Sequence, residues 1–234
     1  MQIQFSKSSV CNNLPFTKSL SHDLYHHKYI LENDKNIYSK AAFFDRDGVI
    51  IKDKHFLSDP DLIEFEKGAK SLISKFKKNG WKVVVVTNQS GIYRNLFQWS
   101  DYEKVSERII QLLGNPSLID AIYANGLGPN LEKASWRKPN PEMIFEAKKD
   151  LNIDLKSSII IGDRLTDIVA GIKAGLKIVY HVKTGYGTNE RAKIEKLAKN
   201  NIDDSEVSYL NGMKKPIMRF TDGLWDILND KSLF

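Results

Sequence analysis

The chain has 234 residues, of which 41% are hydrophobic and 27% charged, the composition of an ordinary globular protein with one main domain. Its 35 basic and 29 acidic side chains leave a net charge of +6, which favours anionic partners such as phosphorylated sugars, nucleotides or nucleic acid. Cys11 is the only cysteine, which excludes an intrachain disulfide and any zinc site built from paired thiolates.

Residues 1–40 are polar and carry three of the five histidines, His22, His26 and His27. They read as an N-terminal extension to a domain over residues 41–234. No fourth ligand accompanies the histidines, so they read as solvated side chains and not as a metal site. The stretch lacks the compact apolar run of a secretory leader, and no run further along approaches the roughly 18 residues of a membrane span. A cytoplasmic protein without a membrane partner is the expectation.

From residue 41 onward, short apolar β-rich runs alternate with segments of helical periodicity, the pattern of a parallel sheet covered on both faces. Strands are predicted at Ala41–Phe44, Lys82–Thr87, Leu118–Tyr123, Ser158–Ile161 and Lys177–Val182, and helices at Gly68–Asn79, Asp101–Leu113, Pro141–Asp150 and Leu165–Ala174. Asn140 is the predicted N-cap of the third helix, with Pro141 at its first position. From about Asn189 the chain reads as helix, irregular segment and a final helix (Thr221–Asn229), packed at the sheet edge. Five strands with crossover helices make a doubly wound, three-layer α/β/α domain. Only 39 residues separate Asp47 from Thr87, and no long insertion lies between Thr87 and Lys138, so no large cap domain is expected.

Three polar clusters follow predicted strands, at the edge where an open α/β sheet binds its ligand. Asp45-Arg46-Asp47-Gly48 comes first. Two acids at i and i+2 repel unless a cation or an anion-transfer task holds them together, and Gly48 permits the turn that aims both at one point. An Asp-rich turn is the plainer alternative. Thr87-Asn88-Gln89-Ser90-Gly91 offers hydroxyl and amide donors suited to phosphate oxygens, or an ordinary polar βα loop. Gly162-Asp163-Arg164-Leu165-Thr166-Asp167 sets a further carboxylate opposite the first pair, completing an oxygen-rich site for Mg²⁺. A fourth element, Arg137-Lys138-Pro139-Asn140-Pro141, is a rigid loop whose Lys138 can neutralise a transferring phosphoryl group. Thr184–Gly187 (TGYG) reads as a tight turn in preference to a phosphate loop.

Taken in order, FFDRDGVI, VVVVTNQSGI, WRKPNPEM and IIIGDRLTDIVAGIKAG resemble the haloacid dehalogenase superfamily of phosphohydrolases. Within it, DRDGVI, TNQSGI and RKPNPEM most resemble the branch of heptose bisphosphate and histidinol phosphatases, over roughly Ala41 to Gly187. The resemblance implies a capless haloacid dehalogenase-like fold, with Asp45 as the nucleophile that forms an aspartyl-phosphate and Asp47 as acid and base. It implies Mg²⁺ at Asp45, the main-chain carbonyl of Asp47 and Asp163, with Thr87 and Lys138 on the equatorial phosphoryl oxygens. Substrate contacts are implied at Asp53, Lys54, His55 and Phe56, at Asn88, Gln89 and Ser90, and at Arg137 and Arg164. One departure stands out. The branch usually carries a zinc-binding loop of cysteines and a histidine before its RKP motif, whereas this chain reads Tyr123-Ala124-Asn125-Gly126 and Ala134-Ser135-Trp136. No zinc is therefore expected, with Leu127-Gly128-Pro129 and Trp136 bracing the loop by packing.

The implied function is a Mg²⁺-dependent phosphomonoesterase for a small phosphorylated sugar, best matched by removal of the 7-phosphate of D-glycero-D-manno-heptose 1,7-bisphosphate. Histidinol-phosphate hydrolysis, polynucleotide 3′-phosphatase activity and a non-catalytic phosphate-binding module are the alternatives. Nucleic acid is disfavoured as a partner, because the basic residues form no dense block interleaved with aromatics. A phospho-accepting receiver is disfavoured because the third predicted strand ends in Tyr123-Ala124, without a carboxylate. A monomer is expected.

Overall fold

Ala41–Phe44 is apolar at every position and has no polar side to offer to water, which suits only a strand covered on both faces. The computed structural model describes residues 25–30, 38–115, 118–129, 136–199 and 215–234. In it this run is β2, buried at every residue, in the middle of a sheet whose order is β1 (His26–Ile30), β4 (Ala121–Asn125), β3 (Lys82–Asn88), β2, β5 (Ile159–Gly162), β6 (Ile178–Val182) and β7 (Ile217–Thr221). All neighbours pair in parallel except β1, which runs antiparallel to β4. Phe44 sits level with Val85 of β3 and Ile161 of β5. The residues that follow these strands consequently converge on one edge.

Helices α1 (Ala69–Lys78), α2 (Trp99–Leu113) and α6 (Leu224–Leu228) cover one face, with Leu72, Phe76, Val105, Ile109 and Ile227 in a single core. On the other face α3 (Glu142–Leu151), α4 (Leu165–Ala174) and α5 (Gly187–Ala198) bring in Met143, Ile144, Ile168, Val169 and Ile194. Each helix turns an apolar stripe inward at the 3.6-residue period, and the result is the expected three-layer α/β/α fold. Between β2 and β3, residues 50–66 form a hairpin-like flap in which Ile51 bridges Phe65 and the Lys52 N–H donates to the Glu64 carbonyl at 2.8 Å. No separate cap domain interrupts residues 38–115. Among the described residues no helix is long and apolar enough to cross a membrane.

Among the described residues the sheet has seven strands where five were expected, and both additions lie at its edges. β1 comes from the N-terminal stretch. His27 there is buried, stacked on Trp99 and hydrogen-bonded through Nε2 to Glu103 at 3.0 Å, which corrects the reading of these histidines as solvated. Cys11 and His22 lie outside the described residues. At the other edge Thr221 ends β7, and the helix assigned to Thr221–Asn229 shortens to α6. The strand expected at Leu118–Tyr123 begins at Ala121, because Asp120 accepts from Lys77 at 2.7 Å and from the Val83 N–H at 2.8 Å just before it. The third helix starts at Glu142 with Pro141 as its cap residue, one position later than the Asn140 cap implies.

Candidate active site

Asp45 continues β2 by one hydrogen bond, its N–H donating to the Ile161 carbonyl at 3.1 Å, and the chain then turns. The turn needs Gly48 twice over. Its φ is +81°, a conformation that favours glycine, and a Cβ there would stand 2.6 Å from Asp163 Oδ2 and 3.0 Å from Gly185 Cα. Gly185 closes on the same carboxylate oxygen beside Gly48, and the Tyr186 N–H donates to Asp163 Oδ2 at 2.7 Å. Asp163 therefore sits in a cradle of main chain. His181 steadies it from behind: Arg191 Nε donates to His181 Nδ1, so Nε2 carries the proton and donates to the Asp163 carbonyl at 2.9 Å. Burial depresses the His181 pKa to about 4, which keeps the ring neutral.

Lys138 reaches the same edge from the loop before α3. Its buried Nζ is 2.9 Å from Asp45 Oδ1 and 2.6 Å from Asp167 Oδ1, and it donates to the Val86 carbonyl at 2.8 Å. Asn88 holds that loop in register: Nδ2 donates to the Lys138 carbonyl and Oδ1 accepts the Lys138 N–H, both at 3.0 Å. The Asn88 amide, expected to contact substrate, is thus engaged at both ends in placing Lys138. Burial alone would lower the Lys138 pKa, but Asp167 and Asp45 outweigh it and hold the group above its ordinary value.

One carboxylate oxygen from each of Asp45, Asp163 and Asp167 lies within 4.8 Å of the others. Burial raises the pKa of both Asp45 and Asp163, and the neighbouring carboxylates add to it. Lys138 opposes this at both groups, and the Tyr186 N–H also does so at Asp163. Asp163 Oδ1 is buried with no hydrogen-bond partner. An orphaned carboxylate oxygen facing an excess of negative charge is what a hard divalent cation satisfies, so the residues fit Mg²⁺. The Asp47 carboxylate is turned to Arg46 and Gln89, and only its main-chain carbonyl was expected as a ligand. Asp167, the third member of the cluster, had no assigned role from the sequence. Its Oδ2 accepts the Arg164 N–H at 3.0 Å, and its signal was the i+4 spacing from Asp163 across the start of α4.

Because Asp45 and Asp163 bind protons more tightly folded than unfolded, the metal-free protein loses stability as pH rises from 3.8 through the raised values. Mg²⁺ added at about pH 8 is expected to raise the unfolding temperature, and to raise it less at about pH 5, where both groups are protonated in the fold. Equal shifts at the two pH values would place the cation elsewhere.

Gly162 tests the packing beneath this cluster. A Cβ there would meet Asp167 Cβ at 2.2 Å, so Gly162→Ala is expected to cost about 2–3 kcal/mol in urea unfolding. A cost below about 0.5 kcal/mol would mean that α4 shifts freely against β5.

Thr87 is buried, and its Oγ1 accepts from Gln89 Nε2 at 2.8 Å. Around the mouth, Asp53 Oδ1 accepts the His55 N–H at 2.8 Å, and His55 and Phe56 adopt left-handed φ of 50° and 58°. His55 Nδ1 lies 3.1 Å from the Tyr186 hydroxyl, and the Arg94 guanidinium stands 5.5 Å over the Phe56 ring. Lys54 points to Glu64 on the flap, where the two form an ion pair. The Ser90 carbonyl accepts the Arg94 N–H at 3.2 Å. Arg137 Nη1 donates to the Leu127 carbonyl at 2.9 Å. Burial, then the positive charges of Arg164 and Arg94, hold the Arg137 pKa below its ordinary value, and Arg164 Nε lies 3.9 Å from Glu190 Oε1. Arg164 stacks 3.9 Å over Tyr186. The Thr184–Gly187 stretch does make a turn, closed by the Gly187 N–H on the Thr184 carbonyl at 2.8 Å, and through Tyr186 it is also a wall of the site. Trp136 packs on Tyr123 and on His26 of β1, with ring centroids 5.8 Å and 4.9 Å away. Ala134 and Ser135 lie outside the described residues.

Comparison with known proteins agrees with this geometry. Residues 135–205 match the HAD-hydrolase-like family model. The D-glycero-alpha-D-manno-heptose-1,7-bisphosphate 7-phosphatase of Photorhabdus laumondii is 34% identical over 168 residues, 69% of this chain and 92% of that protein. The D-glycero-beta-D-manno-heptose-1,7-bisphosphate 7-phosphatase of Mesorhizobium japonicum is 42% identical over 143 residues, 58% of this chain and 66% of that protein. Among solved structures, the D,D-heptose 1,7-bisphosphate phosphatase of B. bronchiseptica, complexed with magnesium and phosphate, superposes with a TM-score of 0.66 at 27% identity, covering 82% of this chain and 99% of that one. The chain belongs to the haloacid dehalogenase-like phosphatases, in the family of the heptose 1,7-bisphosphate 7-phosphatases.

Proposed function

We propose that this protein hydrolyses D-glycero-D-manno-heptose 1,7-bisphosphate at its 7-phosphate. The observation that carries the reading is the cluster of Asp45, Asp163 and Asp167 around the Lys138 ammonium at the end of the parallel sheet, a setting suited to phosphoryl transfer. Relatives matched over 168 and 143 residues bear the name of this activity.

In this reading Asp45 attacks phosphorus, a bond forms between its carboxylate oxygen and phosphorus, and the ester bond to the sugar breaks. Asp47 gives its proton to the departing sugar oxygen and then takes one from the water that hydrolyses the aspartyl-phosphate. The Lys138 ammonium and the Thr87 hydroxyl steady charge on the equatorial oxygens. Asp45, Asp163 and the Asp47 carbonyl would hold Mg²⁺, which would supply Lewis-acid neutralisation of the phosphate charge. Gln89 orients Thr87 and Asp47, while Asp53, His55, Phe56 and Ser90 line the mouth. Lys54 and Asn88 take part through the flap and through Lys138.

Phosphate release with Mg²⁺ is to be measured on the heptose bisphosphate, histidinol phosphate, other sugar monophosphates and a 3′-phosphorylated oligonucleotide. A preference for the bisphosphate of about a hundredfold or more in kcat/KM is expected, since each charge-assisted contact to the second phosphate contributes roughly 1.5–3 kcal/mol. A flat profile would discard the substrate and keep the chemistry.

A further inference from the structure

Arg46 is 2% exposed, and the hydrogen bonds of its side chain all end on the candidate site. Nε donates to Asp47 Oδ2 and Nη2 to Asp47 Oδ1, both at 3.1 Å, so the guanidinium grips the carboxylate as a fork. Nη2 also donates to Gln89 Oε1 at 3.0 Å, and Gln89 Nε2 returns to Asp47 Oδ2 at 2.8 Å. The far side of the fork rests against Tyr102 of α2, whose ring is 5.3 Å from the guanidinium carbon. Nη1 is buried with no partner. A fold gains little from such a group, because desolvating a guanidinium and leaving one nitrogen dry offsets what a single ion pair returns. Placing a carboxylate is the task this geometry suits, since a planar fork fixes both oxygens at once.

We propose that Arg46 is a positioning residue for Asp47. It holds the carboxyl in the rotamer from which its proton passes to the sugar oxygen as the ester bond breaks. It also presents preorganised donors to the carboxylate that this transfer leaves behind. The proposal rests on the reading of Asp47 as acid and base, and it assigns a function to the residue between the two acids.

The test compares kcat/KM on a sugar phosphate, whose alkoxide needs a proton to leave, with kcat/KM on p-nitrophenyl phosphate, whose phenolate leaves unaided. Arg46→Met is expected to lose about a hundredfold on the sugar phosphate and less than about fivefold on the aryl phosphate. Arg46→Lys, which keeps the charge and loses the fork, is expected to lose at least about tenfold with the same selectivity. Equal losses on both substrates, or no loss, would overturn the proposal. Asp47→Asn separates this failure from failure of the underlying reading: if it too affects both substrates equally, Asp47 is not the acid. If it is selective and Arg46→Met is not, only the positioning role falls. Should Arg46→Met not fold by circular dichroism, Arg46→Lys carries the test, and an unselective loss there overturns the proposal.

Discussion

Asp45→Asn is expected to abolish phosphate release from every phosphomonoester, by at least about ten-thousandfold, while raising the unfolding temperature of the metal-free protein above neutral pH. The two effects have one cause. Asp45 is buried beside Asp167 and Asp47, and Lys138 offsets only part of the cost, so its carboxyl holds a proton more tightly in the fold than in the unfolded chain. Stability is then lost as pH rises through the interval between those two affinities. Asparagine is isosteric: its carbonyl still accepts the Arg46 N–H, which donates to Asp45 Oδ1 at 2.7 Å, and Lys138 keeps Asp167 at 2.6 Å. What disappears is the charge, together with the only oxygen nucleophile at that position. A gain on the order of 5 °C at about pH 8, vanishing near pH 4, follows from relieving a few kcal/mol of buried charge. Residual activity above about 1% would move the nucleophile elsewhere, and a fall in unfolding temperature would mean that the Lys138 pair outweighs burial at this site.

The parts of the site legible in the sequence are those attached to the ends of uniformly apolar strands. Ala41–Phe44, Val83–Val86 and Ile159–Ile161 cannot be anything but central strands, and parallel pairing makes their ends coincide. Asp45, Thr87 and Asp163 could be brought together on paper for that reason. Asn88 and Arg46 were not legible in the same way. Each sits in a recognisable motif, but what it does depends on which direction its side chain leaves the strand end. Asn88 turns to the Lys138 main chain, 50 residues away, and Arg46 folds back onto its own neighbour. Tyr186 was hidden by a correct local reading: its segment is a tight turn, and the turn's second purpose comes only from Asp163 lying against it.

At the edges of the sheet the sequence signal is weak for a physical reason. β1 reads His-His-Lys-Tyr-Ile and β7 reads Ile-Met-Arg-Phe-Thr. Edge strands are half-wet and carry polar residues that discourage further pairing, so the apolar runs that betray β2 and β5 are missing. β1 is also antiparallel, which no βαβ pattern announces. It nonetheless matters near the site, because His26 packs on Trp136 next to Arg137 and Lys138.

Lys138→Met should be the most destabilising single change in the site, by about 3–5 kcal/mol in the absence of divalent cation, and should also reduce kcat by a hundredfold or more. Lys138 is the cation that pairs with both Asp45 and Asp167, at 2.9 Å and 2.6 Å. Methionine fills the stem's volume and removes that charge. Two buried carboxylates are then left facing Asp163 with nothing to balance them. Lys138→Arg keeps the charge but must fit a larger planar group where Nζ is enclosed by Val86, Asp45 and Asp167, so it should recover part of the stability and little of the rate. Mg²⁺ discriminates the causes. If the damage is electrostatic, the cation should restore more of the unfolding temperature in Lys138→Met than it adds to the parent protein, because it enters a site with one more uncompensated charge. It should not restore kcat if Lys138 acts on the equatorial oxygens as proposed, a task the cation does not take over. A loss in Lys138→Met that Mg²⁺ leaves unchanged would point instead to packing of the loop that Asn88 pins, and Asn88→Ala would then show the same loss with Lys138 intact.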